Sequence, residues 1–378
     1  MWTLAAGGRT LNPLRISHVL SVTLLPIDDA DPSWDGTMAT VLSPSDTPAF
    51  DRLVDAHGRA IRYLRISVTD RCDLRCRYCM AEQMTFLPKS ALLSLEEIAI
   101  IAERFVARGV TKIRLSGGEP LVRRDVGELV RRLGDLVGHG LDELTMTTNG
   151  TRLADHAPAL LAAGMRRINV SLDSLDADRF RHITRHGDVA QVIGGIRAAR
   201  DAGLRIKINM VALKGLNEDE IGPMLQWCAD EGLDLSLIET MPLGAIDEDR
   251  VDRFLPLTRV FDDLSARFPL ERDSHRTGGP ARYWRVAGTD TRLGLISPLT
   301  ANFCDGCNRV RLTTEGKLYM CLGHDDQVDL KAALRDGGIG ALDAAIDRGL
   351  REKPLRHDFR IEAGSAPAVT RHMSVTGG

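Results

Sequence analysis

The chain has 378 residues, of which 43% are hydrophobic and 27% charged, with a net charge of −3. That length allows two domains and a tail, and the balanced charge gives no basic excess of the kind that binds nucleic acid. No apolar run is long enough to span a bilayer.

Residues 1–48 read as a disordered N-terminal extension. Pro, Ser, Asp and Thr crowd the stretch from Asp28 to Pro48, a composition that cannot bury enough apolar surface to fold. Arg9 and Arg15 precede any acid, as in a transit peptide. The plainer alternative is an unstructured extension, or an overlong start with Met38 as initiator.

From Arg62 to about Met241 one pattern repeats: a helical stretch ends at a Gly and a strand follows. It occurs at Gly109 before Lys112–Ser116, Gly140 before Glu143–Thr148, and Gly164 before Arg166–Asp173. It recurs at Gly203 before Arg205–Val211 and at Gly232 before Asp234–Met241. Gly suits the left-handed residue that closes a helix. Ser94 with Glu97, and Asn217 with Glu220, fit capping boxes at helix starts. With Tyr63–Thr69 this makes six strands separated by helices, a run of parallel β/α units.

The strands alternate. Arg65, Ser67 and Thr69 oppose Leu64, Ile66 and Val68; Arg167, Asn169, Ser171 and Asp173 oppose Ile168, Val170 and Leu172. Arg205, Lys207 and Asn209 oppose Ile206, Ile208 and Met210. Parallel strands buried on both faces would be apolar throughout. One polar face per strand predicts a wet lumen inside an incomplete or wide barrel. An open sheet with one solvated face is the alternative, and the helical crossovers argue against it.

Directly after the first strand comes Cys72-x3-Cys76-x2-Cys79. In a chain of this length, tight Cys triplets read as metal sites rather than disulfides. Three thiolates on one loop can hold three irons of a [4Fe–4S] cluster and leave the fourth iron open. Zinc is the alternative, but zinc sites more often pair C-x2-C units. Ser116-Gly117-Gly118-Glu119-Pro120 follows the second strand, where two Gly let the backbone approach a ligand closely.

After Met241 the regular alternation is lost. Residues 291–323 read as strands and a hairpin turning near Glu315-Gly316, which returns Cys321 to Cys304-x2-Cys307. With His324 three residues on, a Cys3His zinc site and an iron–sulfur site are equally sensible from spacing alone. Cys228, at helical spacing with Ile221, Met224 and Leu225, reads as a buried core thiol. From about Lys331 a helix is followed by a loose tail ending in Gly377-Gly378.

C-x3-C-x2-C after the first strand of a β/α barrel resembles the radical S-adenosylmethionine (SAM) superfamily, and the aromatic Tyr78 fits the same pattern. The second triplet sharpens the match. From about Gly58 to Gly378 the chain resembles the GTP 3′,8-cyclase family. The similarity runs through Leu64–Cys72, Gly117–Pro120, Thr147–Gly150, Asn169–Asp173, Asn308–Arg311 and the final Gly-Gly.

The resemblance implies an incomplete (β/α)6 barrel of radical SAM type, closed by a C-terminal domain that carries a second iron–sulfur cluster. It divides the chain into an N-terminal extension at 1–48, a SAM core barrel at 49–241, an auxiliary cluster and GTP-binding domain at 242–330, and a helix and tail at 331–378. It implies two [4Fe–4S] clusters, held by Cys72, Cys76 and Cys79 and by Cys304, Cys307 and Cys321. It implies SAM contacts at Tyr78, Gly118, Ser171 and Met241, and GTP contacts at Arg65, Arg114, Thr147, Lys207, Arg309, Val310 and Arg311. Arg65, Lys207, Gly377 and Gly378 are implied in catalysis, the double-Gly tail reaching into the active site. The implied reaction takes the 3′ hydrogen of GTP with a 5′-deoxyadenosyl radical and joins C3′ to C8. It belongs to molybdenum cofactor synthesis, with cyclic pyranopterin monophosphate synthase downstream, a reducing electron donor, a homodimer and a cytoplasmic setting.

Ser236 departs from the family, where Arg is common, as do Ala81 for Pro and Thr376 for Ile. Ser236 keeps open a divergent or inactive GTP-binding paralogue, and another radical SAM enzyme with an auxiliary cluster, acting on a peptide or another small molecule, is a separate alternative. A zinc-stabilised binding protein is a third.

Overall fold

The structure, a computed structural model, describes residues 52–244, 246, 250–362 and 367–377. The extension expected at 1–48 and the terminal Gly378 lie outside the described residues. The described residues belong to one compact unit.

The six expected strands are β1 (Tyr63–Ser67), β2 (Lys112–Ser116), β3 (Glu143–Thr148), β4 (Arg167–Ser171), β5 (Arg205–Ala212) and β6 (Asp234–Glu239). They lie side by side in chain order, all parallel. The crossovers are α1 (Leu95–Ala107), α2 (Val126–Gly134), α3 (Leu153–Ala162), the pair α4 (Ala177–Thr184) and α5 (Val189–Asp201), and α6 (Ile221–Glu231). Gly109, Gly140, Gly164, Gly203 and Gly232, expected before five of the strands, all take positive φ.

The apolar side of each strand meets these helices. Leu64, Ile66, Ile113, Leu115, Met146, Ile168, Ile208 and Leu235 are fully buried. They share one core with Ile98, Ile101 and Phe105 of α1, Leu133 of α2, Val192 of α5, and Met224, Leu225 and Cys228 of α6. Each such side chain contributes about 2 kcal/mol by leaving water. Cys228 is thus the core thiol that its helical spacing predicted. The Ser94 box forms in full: Ser94 Oγ accepts from Glu97 N at 3.1 Å, and Glu97 Oε2 from Ser94 N at 2.8 Å.

The Asn217 box does not form. Asn217 is fully buried, accepts from Leu213 N and donates to the Asp173 and Val211 carbonyls. The buried carbonyls of Asp173, just past β4, and of Val211, near the end of β5, outcompete the local cap, and a 3-10 turn at Glu218–Glu220 leads into α6 instead.

The six strands do not close on themselves. The later strands are β7 (Leu270–Asp273), β8 (Arg282–Val286), β9 (Arg292–Ile296), β10 (Arg309–Leu312), β11 (Lys317–Tyr319) and β12 (Gln327–Asp329). β10 pairs parallel with β1, and β9 pairs parallel with β6. The C-terminal segment therefore continues the sheet at both open edges, which removes two rows of unpaired backbone groups. β10–β11 is the expected hairpin, turning at Gly316 with φ of 86°. β7 and β8, which run antiparallel beyond β9, are strands the sequence pattern did not predict. The expected C-terminal helix spans Leu330–Arg351 and breaks at Gly338, whose φ is 64°.

Candidate active site

The polar strand faces, which the alternation assigned to a lumen, line a cavity of about 280 Å³. Its wall takes Arg65 from β1, Arg114 from β2, Thr147 from β3, Asn169 and Ser171 from β4, and Lys207 and Asn209 from β5. All six triplet cysteines line the same cavity. None is in a disulfide.

The first triplet sits on the loop that leaves β1. Backbone bonds from Cys79 N and Met80 N to Cys76 O, at 2.9 and 3.1 Å, curl the loop. Arg75 N and Arg77 N tie it to the carbonyls of Thr184 and Ile183 near the end of α4. Burial pushes the Cys72 and Cys79 thiols up to about 12, and Cys76 well above its ordinary value. Such thiols keep their protons until a metal displaces them.

Tyr78 is anchored. Its hydroxyl donates to Asp173 Oδ2 at 2.6 Å, and Asp173 Oδ1 accepts from Val211 N at 2.8 Å. Burial pushes the Asp173 carboxyl up to about 6, against the pull of these bonds. Gly117 and Gly118 run against the β1 loop so closely that a Cβ on either would lie 2.3 Å from a carbonyl oxygen, of Thr69 or Arg71. Glu119 fixes their position. Its buried carboxylate accepts from Leu121 N, Thr148 Oγ1 and Asn149 N at 2.9, 2.8 and 2.6 Å, and burial pushes it up to about 7. Ser171 and Met241 complete this end of the cavity.

At the other end, Cys307 N donates to Cys304 O at 2.9 Å, and the β10–β11 hairpin brings Cys321 to them. His324 turns away, its Nε2 lying 3.0 Å from the Arg356 carbonyl oxygen. Among the described residues, no three His, Cys, Asp or Glu side chains are gathered closely enough for a single ion. Donors about 2.3 Å from one metal, as zinc demands, would have to be so gathered. Three free thiols facing a common space suit a larger, multi-iron group.

Between the two triplets lies a belt of cations. Strand register sets Arg65 between Arg311 and Arg114, and places Asn169 between Thr147 and Lys207. Arg65, Arg311 and Lys207 are 9%, 6% and 4% exposed. Among the described residues, no carboxylate is within ion-pairing distance of Arg65, Arg114, Lys207, Arg309 or Arg311. Tyr63 OH, Arg65 Nε, Arg114 Nε, Thr147 Oγ1, Asn209 Oδ1 and Arg309 Nε have no hydrogen-bond partner among the described residues. Burial, then Arg114, holds Lys207 well below its ordinary value; burial, then Arg311, does the same to Arg65. Burial and Arg309 bring Arg311 down to about 10. Buried cations without counter-charge are costly, and a polyanion entering the cavity relieves that cost.

Val310, expected with its neighbours among the GTP contacts, is not among the residues that line the cavity. Strand alternation turns its side chain away from Arg309 and Arg311, into the core at 0% exposure. Gly377 lies inside, where its carbonyl accepts from Arg311 NH1 at 3.0 Å. The tail is therefore not loose: Met373–Thr376 forms a helical turn with Ser374 and Thr376 buried. Val369 bridges Leu243 in parallel. Arg371 donates to the Cys321 and Leu322 carbonyls and stacks 4.0 Å from the Tyr319 ring centroid.

Several cavity residues went unassigned at the sequence level. Tyr63 and Asn169 share the alternating faces of Arg65 and Arg167, so that signal was present. Asn169, with its amide oxygen toward Arg114, accepts from both terminal nitrogens at 3.0 and 3.2 Å. Behind the cavity wall, Tyr283 of β8 accepts from Lys207 Nζ at 3.2 Å. Its ring occupies the space beside Ser236 and Gly294, register partners in β6 and β9. No local pattern announces Tyr283.

Comparison with known proteins agrees with this geometry. The radical SAM superfamily model matches residues 66–228, and the Molybdenum Cofactor Synthesis C model matches residues 233–359. The chain is 58% identical to a GTP 3′,8-cyclase of Erythrobacter litoralis over 87% of its own length and all of the relative's. It is also 58% identical to a GTP 3′,8-cyclase of Rhizobium leguminosarum bv. trifolii, covering 86% of this chain and 94% of that one. In fold alone it resembles Streptococcus suis SuiB bound to S-adenosylmethionine, with a TM-score of 0.55 at 15% identity, over 78% of this chain and 66% of that one. It likewise resembles native anSMEcpe with bound AdoMet, with a TM-score of 0.51 at 16% identity, over 77% and 82%. A SAM-type cysteine loop, a second triplet across a cationic cavity and these relatives converge: the chain belongs to the GTP 3′,8-cyclase family of radical SAM enzymes.

Proposed function

We propose that the chain converts GTP to (8S)-3′,8-cyclo-7,8-dihydroguanosine 5′-triphosphate in molybdenum cofactor synthesis. The observation that carries this is the belt of five cations, three of them buried, without carboxylate partners among the described residues, set between two cysteine triplets in one cavity. Cys72, Cys76 and Cys79 would hold one [4Fe–4S] cluster, and Cys304, Cys307 and Cys321 a second. When bound and reduced, the first supplies the electron that cleaves SAM and so provides the hydrogen-abstracting group.

The chain's own residues bind, orient and shield. Arg65, Arg114, Lys207, Arg309 and Arg311 would take the triphosphate, guanidinium forks matching phosphate oxygens in pairs. Thr147 and Asn169 offer polar atoms beside them. Tyr78, Gly118, Ser171 and Met241 frame SAM at the end nearer the first triplet. Holding C3′ and C8 together in a closed cavity supplies orientation and keeps water from a reactive carbon. The Gly377 tail fills the remaining gap beside Arg311.

On this reading residues 49–241 form the SAM core, 242–330 the second-cluster and GTP-binding part, and 331–378 the closing helix and tail. A low-potential donor serves the enzyme, and a synthase converts its product to cyclic pyranopterin monophosphate. A homodimer in the cytoplasm completes the proposal, because thiolate-held clusters need a reducing compartment. No described helix is long and apolar enough to cross a membrane.

The test is 5′-deoxyadenosine formed anaerobically from SAM and dithionite by the reconstituted chain, with and without GTP. Cleavage stimulated by GTP, with GTP consumed, is expected. Cleavage indifferent to GTP would point to another substrate, and no cleavage in an iron-loaded chain to an inactive paralogue.

A further inference from the structure

Lys353 follows the C-terminal helix and is 2% exposed. An ammonium has three protons to donate, and here each has an acceptor. Lys353 Nζ donates to Cys307 Sγ at 3.6 Å, to Arg309 O at 3.2 Å and to Met320 O. Two of these are neutral carbonyls, and no carboxylate is within ion-pairing distance among the described residues. Of the three acceptors, only the Cys307 sulfur becomes anionic when it ligates a metal, so it is the acceptor that matches the ammonium charge. The backbone of the neighbouring ligand is held by a second cation, since Arg59 NH1 donates to Cys304 O at 2.9 Å.

The first triplet is built the other way. Cys72 Sγ lies 3.8 Å from the neutral Asn149 amide nitrogen and 3.9 Å from the Asp73 carboxylate. Iron–sulfur potentials depend on net charge and on hydrogen bonds to the sulfurs, and partners of the ligands tune a metal group as strongly as the ligands do. A cation donating to a ligand sulfur favours the reduced, more negative state.

We propose that Lys353 is the charge partner of the second cluster and raises its reduction potential. This rests on the reading that Cys304, Cys307 and Cys321 hold that cluster. Lys353 touches neither substrate nor iron. It is a positioning residue that acts through Cys307.

The experiment is a dithionite titration followed by electron paramagnetic resonance, on the reconstituted full-length chain with Cys72, Cys76 and Cys79 changed to Ala. Only the second cluster then contributes. The S–S bond of dithionite splits into two SO2 radical anions, each of which passes one electron to an oxidised cluster and leaves as sulfite. Lys353→Met is expected to make reduction at least tenfold less favourable, a downward shift of about 59 mV for a one-electron couple. Lys353→Arg keeps the charge and is expected to stay within that tenfold of the parent. Lys353→Met titrating like the parent, or both variants shifting alike, would overturn the proposal. If Lys353→Met fails to load iron, Lys353→Arg decides: a loaded cluster near the parent potential supports a charge role, and an equal failure to load overturns it. No iron or sulfide in the parent itself would sink the cysteine assignment, and the proposal with it.

Discussion

Gly377 lies so close to Ser116 that a Cβ on it would come within 1.9 Å of the Ser116 hydroxyl oxygen. Its φ of 74° is also one that side-chain-bearing residues avoid. The penultimate residue is thus glycine for two independent reasons, and both act at the end of β2, one residue before Gly117.

Gly377→Ala should therefore expel the end of the tail while leaving the cysteine loops untouched. The expected result is unchanged iron content, retained SAM cleavage and about a hundredfold loss of cyclised product, since misplacement of about 1 Å near a reacting centre costs that much. Ser116→Gly in the same chain removes the clashing side chain and should recover part of the loss; only the backbone strain then remains. Undiminished product in Gly377→Ala would end the tail's role.

Tyr63 gives the site a pH dependence. Its burial pushes the phenol up, but Arg114, Arg65, Lys112 and Arg309 outweigh that and bring it down to about 8. Without GTP a phenolate forms above that pH. Bound triphosphate supplies the negative charge that those cations lack, so Tyr63 moves back up when GTP is present. GTP then binds better to the protonated phenol. Affinity should be flat below pH 8 and fall above it, by up to tenfold per unit. Tyr63→Phe should flatten the profile. Calorimetric titration of GTP from pH 7 to 9.5 checks this, and an identical slope in both chains would remove Tyr63 from the account.

How much of this was legible depends on the range of the interaction that writes it. β1 to β6 could be read because alternation and the closing glycines are local signals. The same alternation sets Tyr63 beside Arg65 and turns Val310 into the core between two lumen-facing arginines. β7 and β8 could not be read so. The β7 sequence Leu-Glu-Arg-Asp has no buried residue, and its place is fixed by a partner in β8 rather than by its own pattern. The return of β9 to β6 and of β10 to β1 is equally non-local. Asn217 shows the opposite failure: a sound local cap signal was overridden by the buried carbonyls of Asp173 and Val211. Lys353, Arg371 and Tyr283 find their partners dozens of residues away, where no spacing rule reaches.

Glu239 closes β6 and is the joint between barrel and second-cluster segment. Its carboxylate is fully buried and accepts from Leu257 N, Leu299 N and Thr300 N at 3.2, 3.0 and 3.2 Å, and from the Thr300 hydroxyl. Glu239→Gln replaces one acceptor oxygen with a donor that faces other donors. Hydrogen bonds to a buried charge are worth roughly 1.5–3 kcal/mol each, so a loss of about 3 kcal/mol in unfolding free energy is expected. Because residues 299–300 lead directly into Cys304, iron at the second triplet should fall before iron at the first. Urea unfolding and iron counts in chains carrying one triplet each measure both effects. Equal loss at the two sites would mean that Glu239 supports the fold as a whole.

Arg371 couples the tail to the second triplet. Its guanidinium donates to the carbonyls of Cys321 and Leu322, pairs with Asp325 and stacks on Tyr319. Only five residues separate it from Gly377, so the end of the tail cannot stay in the cavity if this anchor is released. Arg371→Ala should raise hydrogen exchange across residues 367–377 by at least tenfold and lower cyclisation to the level of Gly377→Ala. Arg371→Lys keeps the charge but loses the planar fork, and should fall between the two. Combining Arg371→Ala with Gly377→Ala should add little, because both remove the same seated tail and such effects are not additive. A full additive loss would show that Arg371 acts on the cysteine loop independently of the tail. In that case exchange across the tail would stay slow in Arg371→Ala while exchange near Cys321 rose, an outcome the same experiment reads directly.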